Sequence, residues 1–111
     1  MGSDAGDVAS DVAQRYAALS SAARRLVDLI AAARAPVHYE VLRHLLRVSE
    51  ETMIEVLEET IHVRLVRRGD DPFTYVPHDE TVGTEIRETM PPDRLARLRA
   101  QLASAAQRVF E

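Results

Sequence analysis

The chain of 111 residues contains no cysteine, no lysine and no tryptophan. The missing cysteine excludes disulfides, thiolate metal sites and cysteine catalysis together. Glycine stands only at positions 2, 6, 69 and 83, too scattered for a GxGxxG, Walker or GxSxG loop. The four histidines, His38, His44, His62 and His78, form no HxH or HExxH pattern. The expectation is therefore a chain that is not an enzyme and holds no metal or cofactor. The longest uncharged apolar run, residues 29–33, falls far short of the roughly 20 residues a membrane span needs. Residues 1–7 are polar and acidic, the opposite of a signal peptide, so the expected location is cytoplasmic.

What is present fits one soluble domain. Apolar residues make up 46% and charged residues 29%, a globular mix. With only five aromatics, the core must rest on eleven Leu, twelve Val and four Ile. The net charge is −4, and all fourteen basic residues are arginine. Together with sixteen alanines, that bias points to a GC-rich genome.

The periodicity predicts helices, one hairpin, then helices again. Val8, Val12, Tyr16 and Leu19 suggest a short first helix within a leader of residues 1–19. Ser20 or Ser21 caps a second helix that ends by Arg34, ahead of Pro36. A third begins near Val37 to Tyr39 and stops near Val48. Ser49 caps the cleanest helix, about Glu50 to Arg64, whose apolar face carries Met53, Val56, Leu57, Thr60 and Ile61. Leu57 and Ile61 should sit at the centre of that face, against Leu26, Ile30, Leu42 and Leu45.

Strands at 65–68 and 73–76 flank the turn residues Gly69-Asp70-Asp71-Pro72. A helix from about Asp79 to Thr89 follows, and Pro91-Pro92-Asp93 opens a last one. Leu95, Leu98, Leu102, Ala105 and Val109 make a narrow seam on it, suited to dimerisation or to the start of a helical array. The expected fold is mainly α with a small β-hairpin: a winged helix-turn-helix over residues 20–90, with extra helices before it and at 91–111.

The usual work of such a fold is reading DNA, with the second helix of the pair in the major groove. Here that helix carries Glu50, Glu51, Glu55, Glu58 and Glu59 against Arg64, a net −4. Affinity for DNA rests on cations at phosphates, and this face would repel them. Glu51, Glu55, Glu58 and Glu59 read either as a solvated face or as an acidic docking surface for protein. Arg43, Arg47, Arg67 and Arg68 are the candidate nucleic-acid contacts if the chain is instead a stand-alone DNA-binding regulator, acting as a dimer through its first and last helices.

A series of motifs in one order resembles a known family. Residues 16–26, Tyr16-Ala17-Ala18-Leu19-Ser20-Ser21-Ala22-Ala23-Arg24-Arg25-Leu26, are similar to the "LAxLSPAARRLL" entry of the winged domain in STAND-class signal-transduction ATPases. The stretch from Val48-Ser49-Glu50-Glu51 to Leu57-Glu58-Glu59 resembles its "LSEEELLEALEEL" helix, and Val63 to Arg68 its "AGLLRE" exit. Residues 73–79 resemble the "YRFRHD" segment that closes the wing, and Met90 to Leu98 the "LPPERRARLH" start of the array beyond it. The resemblance implies a regulatory module that docks on other domains of the same or a partner protein. It also implies that His78, with Asp79 opening the next helix, approaches nucleotide phosphates in a closed state. The chain departs from the family at Pro77, where a basic residue is usual, and at Glu80 to Ile86, where "LIREALY" is usual.

Overall fold

The computed structural model describes residues 11–110. Val8 and the acidic leader lie outside them. Helix α1 covers residues 11–17. It is followed by α2 (Ser21–Ala32), β1 (Val37–His38), α3 (Tyr39–Leu46), α4 (Glu50–His62), β2 (Val66–Arg68), β3 (Thr74–Pro77), α5 (Glu80–Glu88) and α6 (Pro92–Val109). The fold is mainly helical with a small antiparallel sheet of order β1-β3-β2. Helices α2, α3 and α4 precede the β2–β3 hairpin, with α1 before them and α5 and α6 after.

Side-chain caps fix where the helices begin. The Ser20 hydroxyl accepts from the Ala23 amide, the Ser49 hydroxyl from Thr52, and the Asp79 carboxylate from Val82. Each takes one of the donors a helix start leaves unpaired. Pro92 sits at the first turn of α6, where the amide it lacks has no intrahelical acceptor anyway. Helix α3 ends on Arg47 in the left-handed conformation (φ 55°), and residues 47–49 make the whole turn into α4.

Helix α2 is the centre of the molecule. Every residue from Leu26 to Ala32 is buried, because α3, α4, α5, α6 and β3 all pack around it. The second half of α2 is enclosed on all sides, with Asp28 as the one charge inside it. Leu26, Val27, Ile30, Leu42, Met53, Leu65 and Val66 are the largest fully buried aliphatic side chains. Gly83 lets α5 approach the sheet: a Cβ there would stand 3.2 Å from the Pro77 ring.

Three features depart from the sequence reading. Val37 and His38, expected at a helix start, instead form a third strand, paired with Tyr75 and Thr74. Two residues carry no alternation, so only the ladder to β3 defines that strand. Secondly, the buried face of α4 is Met53, Val56, Leu57 and Thr60, while Ile61 is 37% exposed. Thirdly, the seam of α6 faces its own chain: α6 packs on α3 and α2, with Leu102 and Ala105 buried and Leu95, Leu98 and Val109 half-buried.

Candidate functional site

The exposed side of α4 carries Glu51, Glu55 and Glu58. Glu59 does not belong with them. Its carboxylate accepts from both the backbone amide and the hydroxyl of Ser20, each at 2.8 Å, and so extends the cap of α2. The expected docking face therefore loses Glu59 to structure. It gains two side chains that the sequence reading missed or buried: Ile54, 48% exposed, and Ile61. They lie seven residues apart, about 10.5 Å along the axis and nearly in line on one flank. That i, i+7 pair beside an otherwise complete buried stripe was the available signal. The outward face of α4 thus carries carboxylates along its centre and an apolar ridge on one flank.

Several of the arginines bond within their own chain. Arg15 donates to the Val63 carbonyl at the end of α4 (2.8 Å), Arg87 to Ala31 (2.9 Å) and Arg99 to Ala32 (2.8 Å) at the end of α2. Cations at helix C-termini satisfy the last carbonyls and complement the dipole. Arg94 pairs with Asp28 at 2.7 Å, and the Tyr16 hydroxyl donates to the same carboxylate at 2.9 Å. Burial, then the hydrogen bond to Asp28 and its charge, push the Tyr16 hydroxyl up to about 12. Of the candidate nucleic-acid contacts, Arg67 donates to the carbonyls of His78 and Arg68. Arg67 and Arg68 stand on β2 at one edge of the sheet, whereas Arg43 and Arg47 lie on the helix that follows β1 at the other edge.

His78 and Asp79 are brought to the junction of β3 and α5. The His78 amide donates to Leu65, and the Asp79 carboxylate accepts from Val82 at 2.8 Å. Both residues border an open depression shared with Arg15, His62 and Arg64. The start of α5, where a phosphate would find amide donors, already holds the carboxylate of Asp79. Among the described residues, no three His, Asp or Glu side chains gather to hold a metal ion.

A separate groove of about 370 Å³ runs between the segment 33–38, α3 and α6. Val37, Val41, Leu102 and Ala106 give it an apolar lining; Arg34, Arg99 and His38 add basic groups, and no carboxylate lines it. Phe110, 60% exposed, stands edge-on to the His38 ring at 5.0 Å. The ring of Phe73, 64% exposed, is centred 6.2 Å from that of His38. No family model matches the chain, and no curated protein or solved structure matches it significantly. Among the described residues, no helix is long and apolar enough to cross a membrane.

Proposed function

We propose that this chain is a non-catalytic protein-interaction module that docks through the outward face of α4. One observation carries the reading. The helix that the helix-turn-helix order would aim at DNA exposes Glu51, Glu55 and Glu58 beside Ile54 and Ile61. Phosphates would be repelled there, while exposed isoleucines beside charges suit a protein surface with an apolar centre and a polar rim. The resemblance of residues 16–111 to the winged domain of STAND-class ATPases supports a regulatory role, with an ATPase core as the first partner to test. The alternative, a DNA-binding dimer, rests on Arg43, Arg47 and Arg68, since Arg67 is tied to backbone carbonyls.

A photocrosslinking residue at position 54, introduced in the source cells, tests the reading. The expected result is a discrete protein adduct that is lost when Glu51, Glu55 and Glu58 are reversed to Arg. An adduct to DNA, or none above the level given by exposed position 101, refutes it. A low-salt anisotropy titration adds a second check, with no sequence-selective duplex binding expected through α4.

A further inference from the structure

Among the described residues four large hydrophobic side chains are exposed, and they fall into two pairs: Ile54 and Ile61 on α4, and Phe73 and Phe110 beside the His38 groove. The two places are opposite in charge. The ridge offers Glu51, Glu55 and Glu58; the groove offers Arg34 and the Nη atoms of Arg99, whose Nε is bonded to Ala32, and contains no carboxylate. Resting on the docking reading of α4, we propose that the ridge of one copy seats in the groove of a second copy, head to tail.

The fit has three physical parts. Apolar side chains spaced two helical turns apart are the standard anchors of a helix lying in a groove. The groove supplies an apolar floor in Val41, Leu102 and Ala106, where small alanine leaves room for a branched side chain. Carboxylates flanking the isoleucines would meet the arginines at the rim, which sets orientation and hastens encounter. The two faces cannot satisfy each other within one chain. Helix α4 is fastened to α2 and β2, the groove is walled by β1, α3 and α6, and both faces stand open to solvent on one folded body.

Such a contact is heterologous: each copy that joins still presents an unused ridge or groove, so assemblies lengthen or close into rings. Sedimentation velocity over a concentration series should show the average mass of the wild type rising beyond a dimer. A ridge variant, Ile54→Ser with Glu58→Arg, and a groove variant, Phe110→Ser with Arg34→Glu, alter only exposed positions. Each alone should self-associate at least about tenfold more weakly. Mixed, they should form a one-to-one heterodimer that grows no further, because each keeps one intact half. A wild type that stays monomeric, or variants that fail to pair on mixing, overturns the proposal. A monomeric wild type whose position 54 still crosslinks to another protein overturns self-docking alone; loss of that adduct as well removes the docking reading with it.

Discussion

Asp28 is the sharpest test of how this core is held. Its side chain is 5% exposed, in the middle of the enclosed helix α2, and its partners are the Arg94 guanidinium at 2.7 Å and the Tyr16 hydroxyl at 2.9 Å. Removing Arg94 leaves a carboxylate in a nearly dry site with one neutral donor. Breaking a buried pair in this way costs about 3–5 kcal/mol, because the remaining charge is uncompensated. The Arg94 end is 39% exposed, so water reaches part of the gap, and a loss at or just below the bottom of that range, about 2–3 kcal/mol, is expected for Arg94→Leu. Asp28→Asn keeps the shape and still accepts from Tyr16, while Arg94 turns to solvent. Once residue 28 is neutral, the further loss of Arg94 should cost under about 1 kcal/mol. The double variant should thus be far more stable than the sum of the single losses implies. Urea unfolding of the four proteins closes the cycle. Additivity within about 0.5 kcal/mol would refute the reasoning and make this an ordinary screened surface pair.

Glu59→Ala should cost about 1–2 kcal/mol by thermal melting, since it strips two bonds from the cap of α2, whereas Glu55→Ala should change stability by less than about 0.5 kcal/mol. Leu57→Ala should cost roughly 2–5 kcal/mol and Ile61→Ala clearly less; equal losses in chemical denaturation would contradict the observed roll of α4. At alkaline pH, a hydroxyl with a raised pKa stabilises the fold fully below its unfolded value near 10 and loses that contribution as pH rises towards about 12. Burial, and then Glu50, raise Tyr39 in the same direction. Phenolate absorbance should show a late-titrating tyrosine in addition to Tyr39 that Tyr16→Phe removes, and the variant's stability should fall less steeply over that pH window.

Local chemistry was legible and distant chemistry was not. Ser20 and Ser49 announced their helices through capping, and α4 and the hairpin through period, because each signal lies within a few residues of its effect. The strand β1 depends on partners 36 and 38 residues away, at Thr74 and Tyr75, so nothing local marks it. The same distance hid Glu59: its partner Ser20 lies 39 positions earlier. The arginine–carbonyl bonds carry no sequence mark at all, since every residue offers a carbonyl. Asp28 did leave a trace. One charge inside Leu26-Val27-Asp28-Leu29-Ile30 demands a buried partner, although it does not say which.

The placement of Asp28 also bears on how the chain is made. Its partner Arg94 is synthesised 66 residues later. At ribosomal rates of about 5–20 residues per second, Asp28 waits roughly 3–13 s for its counter-ion. Throughout that interval the side of α2 that α6 will cover has no cover. An aliphatic residue there would extend an apolar patch on the growing chain, the kind of surface through which nascent chains stick to one another. A carboxylate instead keeps that side hydrated until α6 arrives. The charge that is costly in the finished core becomes, once Arg94 arrives, the tie that fastens α6 to α2.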